Sequence, residues 1–455
     1  MRFRLKRTLQ VIAVCACVLV YINFFLANKS GWSSLALEIG FREVDKNQQS
    51  AGLGTSARTI SQSNRTFTNI SHSTSSFPLS TEISHTVPSV YPSEEYYADD
   101  RILTQLKFVP KSVEGGLKEG TVKHRKILLY NGLSGWGVKR GQETFVENKC
   151  TVPHCELTDS HSDLARADVV LFQGTSASRE PRPQNQKWLL YLLESPYHTP
   201  GLSALTGLVN WTATYRHDST IVAPYEKFVP FNSSVLTKPQ NRNYADGKTK
   251  KVAWFVSNCG ARNGRRQYAN ELAKYIEIDI YGGCGQLKCP RFEANKCFEM
   301  LNRDYKFYLS FENSNCRDYI TEKFFINGLK HDVIPIVMGA APEDYERAAP
   351  PHSYIHVDDF ESPKELADYL HKLDKNDDLY NEYFQWKGTG DIINTFFWCR
   401  LCALAHDEDR GLSWYNDVNA WWRGGDICIG QDNWRTKKRT SKLIADLPVV
   451  LPSNH

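Results

Sequence analysis

The stretch KFYLSFENSNCRDYITEKFFINGL (306–329) sets carboxylates, an amide and a lysine where an apolar run gives way to a polar turn. Residues 306–311 read as a short buried strand. Glu312 and Asn313 stand where it should end, 314–318 read as a turn, and a helix is expected to open near Tyr319 with Glu322 and Lys323 in its first turn. Unpaired N–H groups and a positive dipole at such a helix start suit a phosphate. Two further sets of residues could act with this one. Arg262, Arg265 and Arg266 follow an expected strand at 252–256, and Glu194 closes another at 188–193. Arginine forks can hold phosphate oxygens in pairs. A carboxylate at a strand end can take a proton. The same spacing is also met by an ordinary surface helix with a solvated Glu-Lys pair, a solvated basic turn and a structural glutamate.

Positioning such groups takes strands that end together. Short apolar runs at 126–130, 168–172 and 188–193 alternate with helix-length spacers, which predicts a parallel sheet with helices on its faces. Residues 237–251 turn polar and read as a linker. Beyond it, strands are expected at 252–256, 278–281, 306–311, 333–337 and 354–357, with a helix at 267–276. Leu366, Tyr369, Leu370 and Leu373 recur at helical spacing after Pro363. The loop NGLSGWG after the first strand lacks the flanks of a dinucleotide fingerprint. The fold class is therefore α/β, in two halves.

With 455 residues and a net charge of only +4, the chain has room for two domains and no bulk charge for nucleic acid. Arg2, Arg4, Lys6 and Arg7 precede an apolar run at 9–27. It reads as a transmembrane signal-anchor with residues 1–8 cytosolic and the rest lumenal, a single-pass type II arrangement; a cleaved signal peptide is the alternative. Residues 28–120 are Ser/Thr-rich and read as a disordered stem. Glycosylation sequons begin at Asn64, Asn69, Asn210 and Asn232. Cys15 and Cys17 fall inside the anchor, leaving ten cysteines on the lumenal side, which fits disulfides. Cys399-Arg-Leu-Cys402 has no second CxxC to complete a zinc site. Asp407-Glu-Asp409 has the DxD pattern of a metal-held diphosphate but lies in a polar tail, where a solvated loop is the simpler reading. Trp414, Trp421, Trp422 and Trp434 read as a packed aromatic tail rather than a sugar-stacking surface.

FEN (311–313), five residues, then YITEK (319–323) resembles the central motif of the α1,3/4-fucosyltransferases, glycosyltransferase family 10. The resemblance runs from about residue 126 to about 422 and includes LESP (193–196), SNCGARNGRRQY (257–268) and VMGAAPEDYERAAP (337–350). Within that family, 278–291 and 354–375 look like the core α1,3-fucosyltransferases, which modify the innermost GlcNAc of N-glycans. The resemblance implies two Rossmann-like domains facing across a cleft, of the GT-B type: an acceptor-side domain at 121–236, a GDP-fucose-binding domain at 250–395, and a Cys/Trp-rich tail at 396–455 packing back on the first. It implies Glu194 as general base; Glu312, also at a strand end, is the rival. Arg265, Asn313, Tyr319, Glu322 and Lys323 would bind the donor, with Arg262 or Arg266 able to replace Arg265. Cys150 and Cys155 would bridge to Cys399 and Cys402. The expected partners are GDP-fucose, N-glycans of glycoproteins and the Golgi membrane, without nucleic acid. No metal cofactor is expected, Mn²⁺ being at most stimulatory. A Lewis-type enzyme acting on antennary N-acetyllactosamine, or a lumenal glycan-binding protein without turnover, are the alternative functions.

Overall fold

The computed structural model describes residues 100–410 and 413–436. The first sheet contains β1 (Arg125–Leu129), β2 (Cys155–Thr158), β3 (Val169–Phe172), β4 (Lys187–Leu192), β5 (Trp211–Thr214) and β6 (Ile221–Val222). Their order is β2-β1-β3-β4-β5-β6, all parallel. β7 (Lys227–Pro230) leaves this sheet. The second sheet contains β8 (Lys250–Phe255), β9 (Ile278–Tyr281), β10 (Tyr305–Phe311), β11 (Ile334–Met338) and β12 (Ile355–His356), in the order β12-β11-β10-β8-β9, again all parallel. β13 (Gly390–Ile393) pairs antiparallel with β7 and ties the end of the second half to the exit of the first.

Parallel sheets are covered on both faces, so their strands are near-continuous apolar runs. Every residue of VVLF in β3 and of YKFYLSF in β10 is buried. Lys306 inside β10 is tolerated because its Nζ reaches an Asp374 carboxylate at 3.1 Å and the Asp374 carbonyl at 2.8 Å. In the second sheet the chain leaves β8 to one side for β9 and returns to the other side for β10. That reversal opens a crevice at the carboxyl ends of β8 and β10, the usual ligand position in open α/β sheets.

The stem expectation needs correction at its end. Helices Ile102–Lys107 and Lys111–Glu119 fold inside the segment read as stem. Ile102 and Val113 are buried, and the buried Arg101 guanidinium donates to the carbonyls of Ser219 and His217 at 2.7 and 3.0 Å. These helices are short and punctuated by lysines, so their apolar stripe is weak in sequence. The cytosolic tail (1–8), the anchor (9–27), most of the stem and the Asn64 and Asn69 sequons lie outside the described residues. Among the described residues no helix is long and apolar enough to cross a membrane.

The tail does more than pack back on the first half. Helix Phe397–Ala405 is buried in the first core, and disulfides join Cys150 to Cys399 and Cys155 to Cys402. Val418 and Trp422 pack in a second cluster, with Leu128, Val170 and Trp188 on the other face of the first sheet. Further on, Ile429 and Trp434 pack with Ala341 of the second half, and Cys428 is bonded to Cys316. Cys259–Cys284 and Cys289–Cys297 complete the pairing, so all ten cysteines of the described residues are bonded.

Candidate functional site

A cleft of about 270 Å³ opens where the end of β4 faces the end of β10. Glu194, Asn313, Tyr319, Glu322 and Lys323 all line it. Glu194 comes from the first half, just past β4, and its side chain is exposed to the cleft. Its carboxylate accepts the Tyr319 hydroxyl at 3.2 Å and faces Asn313 Nδ2 at 3.5 Å. Tyr319 is buried, with its ring 5.0 Å from that of Tyr215. Burial pushes its pKa well above the usual phenol value, so it remains an O–H donor to Glu194. Tyr319 therefore holds a carboxylate as well as lining the cleft.

Glu312 occupies the matching place past β10 but is fully buried. Its carboxylate accepts the Thr321 N–H at 2.8 Å and the Thr321 hydroxyl at 2.8 and 2.9 Å, and pairs with Lys323 Nζ at 3.1 Å. Burial raises its pKa, and Lys323 opposes that rise without cancelling it. Gly339, at φ 151°, lets β11 pass close above; a Cβ there would stand 2.6 Å from Glu312 Cβ. The rival-base expectation is corrected by this geometry, because no acceptor hydroxyl can reach an enclosed carboxylate whose oxygens are already bonded.

The same bonds explain why the helix starts late. Thr321 is pinned down onto Glu312, and Asp318 takes a left-handed φ of 60°. Regular coiling begins only at Lys323, as a π-helical turn Lys323–Leu329 with Glu322 as its cap. So short a turn carries little dipole, and the local positive charge is the lysine itself. Lys323 Nζ donates to Thr321 Oγ1 at 2.8 Å and Glu322 Oε1 at 3.0 Å, besides its ion pair with Glu312. Burial works against its charge, but the two carboxylates prevail and raise its pKa above the ordinary lysine value. Burial also acts to raise the Glu322 pKa, and Lys323 outweighs it, so Glu322 is held below the usual range.

Arg265 does not join the cleft lining. It is 3% exposed, and its guanidinium donates to the carbonyls of Phe311 at 2.8 Å and Asn258 at 2.9 Å. It fastens the ends of β10 and β8 across the crevice between them, where the expectation had a donor-binding group. Burial lowers its pKa, which Glu312 opposes. Arg262 and Arg266, the alternatives, are exposed.

Position bears on three other readings. Asn210 is 1% exposed; its Nδ2 donates to Ser413 O at 2.8 Å and its Oδ1 accepts the Trp188 N–H at 2.8 Å. A glycan would have to displace that packing, so Asn210 is withdrawn as a glycosylation site, whereas Asn232 is exposed. Asp407-Glu-Asp409 lies at the amino end of β1, away from the cleft, where Asp409 pairs with Lys111 at 3.1 Å and Glu408 with Arg125. Cys155, Cys402 and His406 come together, but the two sulfurs are bonded to each other and so are not offered as metal ligands.

The sequence reading missed the aromatic wall. Trp136, Tyr191, Tyr225, Phe396, Phe397 and Trp398 also line the cleft. Trp136 lies in the glycine-rich loop after β1, and the FFW run precedes the CxxC. They are far apart in sequence, and burial of helix Phe397–Ala405 in the first core with its two disulfides brings Trp398 to within 5.3 Å of Trp136, ring to ring.

The fucosyltransferase N-terminal model matches residues 122–226, and the model of glycosyltransferase family 10 (fucosyltransferase), C-terminal part, matches residues 245–421. Glycoprotein 3-alpha-L-fucosyltransferase A of Drosophila melanogaster is 54% identical over 364 residues, covering 79% of this chain and 71% of the relative. Alpha-(1,3)-fucosyltransferase C of the same organism is 34% identical over 356 residues, covering 70% of this chain and 83% of the relative. A crystal structure of an alpha1,3-fucosyltransferase with GDP aligns at a TM-score of 0.43 and 16% identity, over 65% of this chain and 94% of that one.

Proposed function

Since the chain belongs to the glycosyltransferase family 10 fucosyltransferases, we propose that it transfers L-fucose from GDP-β-L-fucose, with inversion, in α1,3 linkage to the innermost, asparagine-linked GlcNAc of N-glycan cores. The observation that carries this reading is the meeting of Glu194 from one half with Asn313, Glu322 and Lys323 from the other in a single cleft. Two parallel-sheet halves facing one another fit the GT-B arrangement.

Inversion by direct displacement has two requirements. A base must take the proton of the attacking hydroxyl, and charge must be neutralised on the departing diphosphate. Glu194 is the base, held by the Tyr319 hydroxyl. Lys323 grips the diphosphate. Its ammonium now spends its donors on Thr321, Glu322 and Glu312, so donor binding exchanges one carboxylate for phosphate. Glu322 is the partner released, free to accept the ribose hydroxyls of GDP. Arg262 and Arg266 add exposed positive charge, and no metal is needed for the diphosphate. The aromatic wall suits stacking of acceptor sugar rings. The pairing of all ten described cysteines fits an oxidising lumen, and a Golgi site with residues 9–27 as a type II anchor follows from the same reading.

The test is transfer from GDP-fucose to a defined core N-glycan beside free N-acetyllactosamine, with and without chelator. Core product in chelator is expected. Product on N-acetyllactosamine alone would move the chain to the antennary class. Full loss in chelator, restored by Mn²⁺, would overturn the metal-free reading.

A further inference from the structure

Ser195 and Ser314 meet across the two halves, both fully buried, with their hydroxyl oxygens 2.7 Å apart. Ser195 Oγ lies 3.0 Å from His198 Nδ1, and Ser314 Oγ lies 3.3 Å from the same nitrogen. Ser314 Oγ is also 3.0 Å from Asn313 Oδ1, and Asn313 Nδ2 faces Glu194 at 3.5 Å. From this arrangement, and resting on the reading of Glu194 as base, we infer that His198 is a positioning residue. It heads a one-way hydrogen-bond chain, through Ser195, Ser314 and Asn313, that orients the Glu194 carboxylate.

The direction follows from counting protons. An ionised carboxylate only accepts, so the amide of Asn313 must turn its Nδ2 to Glu194 and its Oδ1 to Ser314. Asn313 Oδ1 only accepts, so Ser314 must donate its single proton there. Two hydroxyl oxygens at 2.7 Å need a proton between them. Ser314 has none left, so Ser195 supplies it. Ser195 Oγ is then an acceptor towards His198, and Nδ1 must carry the hydrogen. The chain assigns His198 the Nδ1–H form. Its Nε2 is bare while the ring is neutral. The last link is the longest, and donor binding beside Asn313 is where it would tighten. The charged groups that act on the ring are Glu194, Arg265 and Arg262. Burial lowers its pKa, Glu194 opposes this and the two arginines assist it, which favours the neutral ring.

Two measurements on the full chain test this. The first is the ¹⁵N spectrum of histidine-labelled protein, with the His198 signals assigned by their loss in His198→Asn. A protonated Nδ1 is expected; a ring protonated on Nε2 alone overturns the chain of donors. This readout needs no turnover, so it decides the inference even if the wild-type protein transfers no fucose and the function reading fails. The second is kinetic. Asn at 198 presents an N–H where Nδ1–H stood, and Gln presents one where Nε2 stood. His198→Asn should keep transfer within about twofold, while His198→Gln and Ser314→Ala each lower kcat about tenfold with KM for GDP-fucose unchanged. The double variant His198→Gln, Ser314→Ala should be no worse than either alone. Rescue by Gln and not by Asn, or additive losses, would overturn the assignment.

Discussion

β4 and β10 both run into a glutamate followed by a small polar residue, Glu194-Ser195 and Glu312-Asn313. The two carboxylates end in opposite circumstances. Glu194 is exposed to the cleft and touched by two donors that reach it from the other half. Glu312 is enclosed beneath Gly339 and bonded to Thr321 and Lys323. One is open to the cleft, and the other shapes the segment that faces it across the seam. A strand-end glutamate is thus a position and not a role. The role depends on whether a later part of the chain folds down over it.

Substitutions at these sites would break or sharpen that contrast. The largest effect is expected at the exposed carboxylate. Glu194→Gln should lower transfer by about a thousandfold while GDP-fucose binding, followed by calorimetry, survives. Near-normal turnover would remove the base assignment. Next comes Lys323→Ala, which should weaken GDP-fucose binding about a hundredfold and leave the acceptor KM in place. Equal losses on both substrates would take Lys323 out of the donor grip. The buried carboxylate should behave differently. Glu312→Gln keeps the shape but removes the charge facing Lys323, so a stability loss of about 1–3 kcal/mol in denaturant unfolding is expected, with less than about a tenfold change in kcat. A loss of turnover as deep as that of Glu194→Gln, in protein of unchanged stability, would erase the distinction between the two glutamates.

The smallest effect concerns the seam between the halves. His217 of the first half pairs with Asp318 of the second at 3.0 Å. Burial would lower the His217 pKa, but the hydrogen bond and charge of Asp318 outweigh it and raise the value above ordinary. A raised folded pKa means the stabilisation is complete below the unfolded histidine value of about 6.5 and is lost as pH rises through the folded value. Denaturant midpoints should therefore fall across that window in the wild type. In His217→Gln this contribution to the slope should vanish; an unchanged slope would exclude the pair as its source.

Much of the fold was legible because parallel strands buried on both faces are apolar runs with polar punctuation. Residues 306–311 of the expected central strand fall within β10, and the expected strand at 278–281 matches β9. The two short helices Ile102–Lys107 and Lys111–Glu119 were hidden, since their stability comes from docking and not from their own periodicity. Among the site residues, FEN and YITEK mark a segment that does reach the cleft. The arginine run was harder. Three arginines within five positions differ little in sequence, yet Arg265 is spent on two backbone carbonyls while its neighbours stay exposed. Asn210 is a comparable case, a valid sequon whose amide is already bonded inside the first half.

Local order in the chain was therefore sufficient for the α/β class, the places where strands end, the kinds of groups those ends carry, and the family to which they belong. It could not say which of those groups remain accessible. Accessibility is set by contacts between segments far apart in sequence. Thr321 folds back on Glu312, β11 passes over it at Gly339, Tyr319 crosses to Glu194, and two disulfides carry helix Phe397–Ala405 to the cleft. Burial and hydrogen-bond partners are products of that packing, and they separate an accessible carboxylate from an enclosed one.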